Sequence, residues 1–509
     1  MVGEWENISG LDAAGGLPVF LQIARGLTRD ILRGRLRPKD RLPGTRSLAS
    51  KLGVNRNTVV AAYDELLAEG WIESDGTRGT FVAEALPKVR PRRFAPELGP
   101  DEPVPDRVGF VLHGPLPSPS PPHPKGALVM AGGVPDVRLV PRAALARAYR
   151  RAVTQSHRRL LDYGDPAGHP ALRAALAQLL REERALAASP EQVLVTRGAQ
   201  EALYLAAEVL LAPGDRVVVE AYGYRPAWQA LGRKAELVPL PVDREGLDLE
   251  ALERLLERQR VRAVYLTPHH QYPTMVTLSA ARRLRLLALA QKHAFAILED
   301  DYDHEVHYQG RPVLPLASAD RAGVVIYVGT LSKVLAPGLR LGYLVAPTPV
   351  IARATELRLA IDRQGDLALE AAVASLFEDG EVQRHARRMR RIYQDRREVV
   401  AAALEQRLGQ VLKVELPAGG MALWLEADPK LDVDRWAARA ADLGVIVGPG
   451  RRFHFHDGRS RHLRVGYACL DERELVEAVR RLARALPGSP RSGSPRRRVQ
   501  PTRRSSDGR

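Results

Sequence analysis

The feature that most limits the possible folds is an alternation of short β-branched runs with amphipathic helical stretches between residue 127 and about residue 486. Such alternation predicts an α/β fold with a doubly wound, mostly parallel central sheet. The clearest apolar runs are residues 193–196, 217–220, 263–266, 295–298 and 324–328. Ligands of such sheets bind beyond the carboxyl ends of the strands, so we expect the chemistry where these runs end.

Composition divides the 509-residue chain into four segments, because a chain of this length exceeds a single core. Residues 18–85 combine helical periodicity with a short strand pair, and residues 127–486 form the α/β body. Between them, residues 86–126 are rich in proline, which predicts a linker that is stiff where proline is dense. Residues 487–509 are arginine, serine, proline and glycine, and we predict a disordered basic tail.

Charge and cysteine content limit the classes of protein to which this chain can belong. The net charge of +16 suits a nucleic-acid partner, although part of it lies in the tail. A single cysteine, Cys469, excludes an internal disulfide and fits a reducing cytoplasm. The polar N-terminus lacks the pattern of a signal peptide, and no apolar run reaches the roughly 18 residues of a membrane span. We expect a soluble, cytoplasmic protein with no membrane partner.

The first segment, residues 18–85, predicts a winged helix-turn-helix fold (α+β). Helices are expected over residues 20–33 and 47–52, and a third is expected to follow Asn55, which can cap it, and to run through Glu69. Gly53 supplies the turn between the second and third helices, and the later helix of such a pair enters the major groove. Residues 70–73 and 79–82 predict a two-stranded wing.

The sequence LPGTRSLASKLGVNRNTVVAAYDELLAEGWIESDGTRGTFV in this segment resembles the GntR family of winged-helix regulators. The resemblance implies that double-stranded operator DNA is a partner. Arginine and threonine side chains at such positions can reach phosphates and base edges. The residues that the resemblance assigns to DNA contact are Arg41, Arg46, Arg56, Thr58 and Arg78.

The strongest chemical signal in the body is Lys333, in the run Thr330-Leu331-Ser332-Lys333 that follows the apolar run 324–328. A lysine at the end of a strand can form a Schiff base with an aldehyde cofactor. The hydroxyls of Thr330 and Ser332, with the guanidinium of Arg340, would hold a phosphate beside it. Taken alone, a lysine such as Lys333 is more often a surface residue, so the prediction depends on which residues follow the other strands.

The run 295–298 leads into Asp300 and Tyr302. A carboxylate at this position can pair with a pyridine nitrogen and keep it protonated, which makes the ring an electron sink. The hydroxyl of Tyr302 could bond the phenolic oxygen of the same ring. These two residues are therefore predicted to face a ligand bound at Lys333.

Two further strand ends and a late arginine complete the predicted site. The run 193–196 leads into Gly198, Ala199 and Gln200 at the beginning of a helix, whose N–H groups suit a phosphate. Tyr224, after the run 217–220, could stack on the pyridine ring. Arg464, near the C-terminus, suits the carboxylate of a substrate or effector.

Together these residues resemble fold-type I pyridoxal-phosphate enzymes of the class I aminotransferase type, from residue 132 to residue 470. The resemblance implies pyridoxal 5′-phosphate as cofactor and a smaller C-terminal subdomain beside the main sheet. Residues 163–173 match that family's YxxxxGxxxLR element. The match implies that Tyr163 reaches the phosphate of the partner subunit, and hence a domain-swapped homodimer.

One stretch departs from the aminotransferase pattern. The element NPxNPTG is represented here by residues 267–275, TPHHQYPTM. Its ring-contacting asparagine is missing, with His270 and Gln271 as candidates to replace it, and Met275 stands where the last glycine belongs. These departures resemble the MocR/GabR regulators, which join a GntR head to an aminotransferase-like body, although Met275 is unusual even there.

Two functions follow from these resemblances. In the first, the chain is a pyridoxal-phosphate-dependent transcription regulator that senses an amino compound, or the cofactor itself, through the Lys333 aldimine. In the second, it is an active aminotransferase with a fused DNA-binding head. The altered stretch 267–275 and the head favour a regulator without efficient turnover. A nucleoid-type basic binder is a third class, which only the charge and the tail support.

No metal site is predicted from the sequence. His454 and His456 could place two imidazoles on one face of a strand. Because no further ligand lies near them in the sequence, an ordinary surface strand is the preferred interpretation.

Overall fold

A computed structural model describes residues 18–76, 78–87, 109–111, 124–155, 160–310 and 313–487. The chain divides into two compact units, residues 1–118 and residues 119–509, which we call the head and the body. The predicted linker and basic tail lie mostly outside the described residues, so both remain predictions. Among the described helices, none combines the length and the apolar character needed to cross a membrane.

The head consists of three helices followed by a two-stranded hairpin. Its strands pair antiparallel, with Ile72 opposite Val82. This is the predicted winged helix-turn-helix. Its elements are α1 (Val19–Leu32), α2 (Thr45–Leu52), α3 (Arg56–Ala68), β1 (Ile72–Asp75) and β2 (Gly79–Val82).

Local sequence explains the turns of the head. Gly53 ends α2 with φ +64°, a conformation that glycine adopts without steric cost. The side chain of Asn55 accepts the N–H of Asn57 at 2.9 Å and so caps α3 as expected. Leu32 is 60% exposed although it is apolar, because Ile31 takes the inward position at the end of α1. The core between the elements is built from Ile23, Leu27, Leu48, Val59, Leu66 and Trp71.

The body alternates helices and strands along most of its length. Its helices are α4 (Arg142–Gln155), α5 (Pro170–Arg184), α6 (Ala199–Leu210), α7 (Arg225–Leu231), α8 (Leu249–Leu256), α9 (Ala280–His293), α10 (Leu316–Ala319), α11 (Thr348–Ile361), α12 (Leu367–Glu378), α13 (Glu381–Leu408), α14 (Val433–Asp442) and α15 (Glu472–Arg484). Its strands are β3 (Leu128–Val129), β4 (Val193–Thr196), β5 (Arg216–Glu220), β6 (Glu236–Leu240), β7 (Val242–Asp243), β8 (Gly246–Leu247), β9 (Ala263–Leu266), β10 (Ala296–Asp301), β11 (Val325–Thr330), β12 (Gly342–Val345), β13 (Leu412–Lys413), β14 (Ala422–Ala427), β15 (Val445–Ile446), β16 (Gly448–Pro449) and β17 (His462–Gly466).

A central sheet of seven strands confirms the predicted α/β fold. The strand order is β4-β12-β11-β10-β9-β5-β6, and only β12 runs antiparallel to its neighbours in this sheet. Every residue of β4 is buried, as expected for a strand covered on both faces. The five apolar runs correspond to β4, β5, β9, β10 and β11. Two of them extend further than expected, so that Asp300 and Thr330 lie within β10 and β11 rather than after them.

A smaller antiparallel sheet, in the order β13-β14-β17-β16, forms the predicted C-terminal subdomain. Helices α13, α14 and α15 share its core, in which Trp436 and Leu475 are fully buried. Asp471 and Glu474 form a capping box that begins α15. The expected surface strand at residues 454–456 is wrong: His454 makes an isolated β-bridge and a turn follows, so two successive strand positions do not exist there.

Candidate functional site

One cavity of about 350 Å³ in the body brings together most of the predicted site residues. It lies where β10 and β11 end and α6 begins. The predicted residues in its wall are Ala199, Gln200, Tyr224, Asp300, Tyr302, Thr330, Ser332, Lys333, Arg340 and Arg464. Residues that the sequence did not single out also line it, namely Gly132, Gly133, Val134, Thr267, Tyr272 and Pro337.

Lys333 lies in the turn that follows β11, and its Nζ donates a hydrogen bond to the carbonyl oxygen of Gly133 at 2.8 Å. Burial lowers the pKa of Lys333 to about 8, and the positive charge of Arg464 acts in the same direction, while Asp303 and Asp300 oppose it. A lowered pKa leaves a larger share of the lysine neutral near neutral pH. The neutral amine is the nucleophilic form, as attack on an aldehyde requires.

Asp300 is a buried carboxylate, and only one of its two oxygens has a hydrogen-bond donor. Its Oδ2 accepts a hydrogen bond from the hydroxyl of Tyr265 at 2.9 Å, whereas its Oδ1 has no hydrogen-bond partner. Burial raises the pKa of Asp300 to about 7, and the hydrogen bond from Tyr265 works against that rise. A buried oxygen without a donor is costly, so this position suits a ligand that brings its own N–H group.

One region of the cavity wall, which we call the anion end, is suited to bind an anion. Gly198 has φ +82° and begins α6, whose first N–H groups have no partner within the helix. Arg340, itself at φ +52°, donates to the carbonyl oxygen of Arg197 at 2.9 Å. The hydroxyl of Thr330 accepts the N–H of Ser332 at 3.1 Å. Backbone donors, hydroxyls and a guanidinium therefore converge on one region, which is the donor set of a phosphate site.

Two glycines allow the main chain to approach closely at this anion site. A Cβ added to Gly342, the first residue of β12, would lie 2.6 Å from the carbonyl carbon of Gly198 and 2.8 Å from the nitrogen of Ala199. A Cβ added to Gly198 would lie 3.0 Å from Nη2 of Arg340. The position of the α6 N-terminus is thus set by backbone packing against β12.

Arg464, on β17, is 1% exposed and reaches the cavity without an acidic partner among the described residues. Its Nε and Nη1 have no hydrogen-bond acceptor. Its guanidinium carbon lies 4.5 Å from the centre of the Tyr272 ring, a cation–π contact. A buried, unpaired guanidinium suits a carboxylate supplied by a ligand.

The two candidates for the missing asparagine are both wrong, because neither lines the cavity. His270 bonds Asp303 at 2.8 Å, and the amide of Gln271 donates to the backbone oxygens of Tyr222 and Tyr272. Tyr272, which precedes Pro-Thr just as the asparagine does in NPxNPTG, lies in the wall instead. The phenol of Tyr272 therefore stands where the aminotransferase pattern has the amide of asparagine.

Met275 retains the backbone conformation of the glycine that it replaces. Its φ is +66° and it is 5% exposed. For a residue with a side chain, this conformation costs about 1–2 kcal/mol. The hydroxyl of Tyr302 lies 3.9 Å from its sulfur, and a Cβ added to Gly420 would lie 2.0 Å from its Cε. Met275 thus packs directly behind a residue of the cavity wall.

Tyr163 does not line the cavity of its own chain. It is 72% exposed, and the guanidinium of Arg363 lies 4.0 Å from the centre of its ring. An exposed position is compatible with the contribution to a partner subunit that the resemblance implies, which remains a prediction.

The predicted DNA contacts lie on and beside the helix-turn-helix. Arg46 is on α2, Arg56 and Thr58 are in the first turn of α3, and Arg78 is in the turn of the wing. The three arginines and Arg41 are exposed, whereas Thr58 is half-buried. The first turns of α2 and α3 contain no acidic residue, so the positive ends of both helices are available to a phosphate.

Two families match separate parts of this chain. Residues 128–482 match the family described as aminotransferase class I and II. Residues 20–82 match the bacterial regulatory proteins of the gntR family. The two matches correspond to the body and the head, so the chain combines two modules that are each identified independently.

Similar proteins of comparable length include regulators. The chain is 34% identical over 504 residues to the probable rhizopine catabolism regulatory protein MocR of Rhizobium meliloti, covering 95% of this chain and 97% of that one. It is 36% identical over 482 residues to the transcriptional regulator TauR of Rhodobacter capsulatus, covering 90% and 95%. The body is similar to the solved α-aminoadipate aminotransferase LysN of Thermus thermophilus, determined with N-(5′-phosphopyridoxyl)-L-leucine, at 32% identity and a TM-score of 0.66, covering 71% of this chain and 92% of that one.

Proposed function

Since this chain belongs to the aminotransferase class I and II family and carries a gntR-family segment in front of that domain, we propose that it is a pyridoxal-phosphate-dependent, DNA-binding transcription regulator of the MocR type. The observation that carries the proposal is the cavity shared by Lys333, Asp300 and Arg464, in a chain that also contains a winged helix. The head binds operator DNA, and the body acts as the sensor.

The donor set of the cavity fits pyridoxal phosphate. The unpartnered Oδ1 of Asp300 suits a protonated pyridine nitrogen, and the α6 N-terminus with Thr330, Ser332 and Arg340 suits the phosphate. When bound, the cofactor supplies an aldehyde that reacts reversibly with primary amines. Lys333 is the only lysine in the described wall of the cavity, so it is the amine that holds the cofactor there.

The effector that this site suits is a small amino compound with a carboxylate. The amine would compete with Lys333, and Arg464 would bind the carboxylate through its unpaired nitrogens. Such a compound changes DNA binding only if it has a different affinity for the two states of the regulator. Free pyridoxal phosphate is the alternative signal, captured by Lys333 itself.

The same residues also support a second candidate function, amino-group transfer, because Lys333 lies near Asp300 and has a lowered pKa, as proton shuttling requires. The phenol of Tyr272 at the place of the usual asparagine argues for a changed reaction at the ring. Incubation of the purified chain with an amino acid and a 2-oxo acid distinguishes the two functions. Steady formation of the new amino acid would support the enzyme.

We further propose a homodimer in which Tyr163 completes the partner's cofactor site. Its exposed ring outside its own cavity supports this arrangement. Sedimentation of the full chain, together with cofactor retention in Tyr163→Phe, tests both parts of the proposal.

Replacement of Arg46 or Arg56 with alanine is expected to weaken binding to operator DNA by about 1–3 kcal/mol if the side chain contacts a base. Both side chains are exposed, that of Arg46 in the first turn of α2 and that of Arg56 in the first turn of α3. The measurement is fluorescence anisotropy with duplex DNA selected from a random pool by the full-length protein. Arg25→Ala, an exposed arginine on α1, is the matched control and should bind as the wild type does. Unchanged binding by both test variants would contradict the assignment of the head.

Replacement of Arg464 with methionine is expected to weaken the response to an amino acid by about 2–5 kcal/mol, at least 30-fold in concentration. The visible absorbance of the bound cofactor should persist, because Lys333 and the residues assigned to the phosphate are unchanged in this variant. Absorbance titrations with alanine and with ethylamine, which lacks the carboxylate, measure the effect. Arg473→Met, an exposed arginine on α15, is the control. Equal loss of response to ethylamine would show that Arg464 does not act through the carboxylate.

A further inference from the structure

We infer that His269, His270 and His307 form a binding site for a transition-metal ion of the zinc class. Each offers one ring nitrogen, and the three nitrogens lie within 4.8 Å of one another. The residues are 3%, 2% and 9% exposed, respectively. None of them lines the cofactor cavity, so the cluster is separate from the site described above.

The hydrogen bonding of the cluster points to a missing partner. Both ring nitrogens of His269, Nε2 of His270 and Nδ1 of His307 are buried without a hydrogen-bond partner. Buried polar atoms in folded proteins are nearly always satisfied, and an unpaired one calls for an explanation. One cation bound to one nitrogen of each ring would satisfy three of these atoms together.

Asp303 gives His270 the arrangement that metal-binding histidines have. Its Oδ1 is 2.8 Å from Nδ1 of His270, and it is 1% exposed. A carboxylate on one ring nitrogen fixes the tautomer and directs the other nitrogen to the ion, as in carboxylate–histidine–zinc arrangements. Nε2 of His270 is the nitrogen that this bond leaves available.

The ligand set defines the class of ion. Imidazole suits zinc, copper, nickel and iron, whereas calcium and magnesium require oxygen ligands. Zinc–nitrogen bonds of about 2.0–2.1 Å place tetrahedral nitrogens roughly 3.4 Å apart. Closure from separations of at most 4.8 Å therefore requires no more than about 1.4 Å of movement, shared by three side chains. Three protein ligands leave a fourth position for water or another small ligand.

The proposed metal site would join two parts of the cavity wall. His269 and His270 precede Tyr272 in one loop, and His307 follows Tyr302 beyond the end of β10. Both tyrosines line the cofactor cavity. Bound metal would hold the two segments together, whatever ligand the cavity takes, so the inference is independent of the proposed function.

The test is zinc binding by the full-length chain, stripped with a chelator and then dialysed against Zn²⁺. We expect one zinc ion per chain by inductively coupled plasma mass spectrometry, and at least a tenfold lower content in His269→Asn and in His307→Gln. His456→Gln, at an exposed histidine outside the cluster, is the matched control and should keep the metal. Circular dichroism and the unfolding midpoint show whether each variant is folded.

Cobalt substitution of the wild-type chain gives a second readout that requires no variant. Co²⁺ bound by three imidazoles in tetrahedral geometry should add ligand-field bands to the visible spectrum. A wild-type chain that binds no more zinc than the two variants, or whose cobalt form lacks such bands, would overturn the inference. Loss of zinc only in His456→Gln would show that zinc binds at the exposed His454–His456 pair. That result would also overturn the inference.

Discussion

Lys333→Ala is expected to abolish the visible absorbance of protein-bound pyridoxal phosphate and every response of DNA binding to amino compounds. The effect should be complete rather than graded, because only a primary amine can form a Schiff base with the cofactor's aldehyde. Lys333 is the only lysine among the described residues of the cavity wall, and its Nζ is fixed by the carbonyl of Gly133. Binding of operator DNA without effector should persist, since the head is a separate compact unit with its own core.

The measurement for Lys333→Ala combines an absorbance spectrum, taken after cofactor loading and gel filtration, with DNA anisotropy. Lys292→Ala removes an exposed lysine from α9 and is the control for loss of charge. A Lys333→Ala protein that kept the visible band would refute the assignment of this residue. Loss of DNA binding together with the band would indicate that the head requires a loaded body.

Arg184→Met is expected to lower the free energy of unfolding by about 3–5 kcal/mol. Arg184 is 1% exposed, and its guanidinium lies 2.6 Å from Oδ2 of Asp301, the residue that follows Asp300 on β10. The hydroxyl of Tyr327 donates to the same oxygen at 2.8 Å. Methionine retains most of the apolar volume but leaves the buried carboxylate without its cation. Denaturant unfolding measures the change, and Arg181→Met, on the exposed face of the same helix, should alter stability by less than about 0.5 kcal/mol.

The cost of Arg184→Met should depend on pH. Burial alone would raise the pKa of Asp301, but the positive charge of Arg184 holds it well below its usual range. The wild-type pair therefore contributes its full stability above the unfolded-state pKa of about 4, and that contribution falls as the pH falls below it. In the variant, the buried carboxyl takes up a proton more readily, so the difference between the two proteins should shrink towards pH 4. A difference that stayed constant with pH would mean that packing, not charge, is lost.

Periodicity was sufficient to predict the sheet but not its full extent. The runs that became β4, β5, β9, β10 and β11 are continuous and apolar, as buried parallel strands are. β12 was missed because it has only four residues and begins two residues after Arg340, whose guanidinium was assigned to a phosphate. β6 was missed because its residues Glu236–Leu240 are half exposed and include a proline.

The cavity residues were predictable where a strand end fixed their position. Lys333, Asp300 and Gly198 each belong to a strand or follow one, and parallel strands bring their carboxyl ends to one edge. Tyr272 was missed because the search for a replacement favoured an imidazole or an amide, whereas the loop directs those side chains away from the cavity. The histidine cluster was not foreseen either, since His307 is distant in sequence and only the fold brings it to His269.

Buried arginines were the least predictable feature. Arg184, Arg358 and Arg397 are each at most 1% exposed, yet each stands in a helix that also contains exposed arginine. Helical periodicity distinguishes an inward from an outward position only when the inward residues are apolar. Their partners, such as Asp301 for Arg184, lie far away in the chain, so the pairing needs the tertiary structure.

The close backbone contact between Gly342 and Gly198 has an evolutionary consequence. The anion end of the cavity is positioned by main-chain atoms of β12 and α6, so side-chain changes elsewhere in the wall leave it intact. Substitutions such as those that put Tyr272 in the wall and Met275 behind Tyr302 can then accumulate without loss of the cofactor. A lineage can in this way lose catalytic turnover and still bind the cofactor. This change converts an enzyme into a ligand-binding receptor.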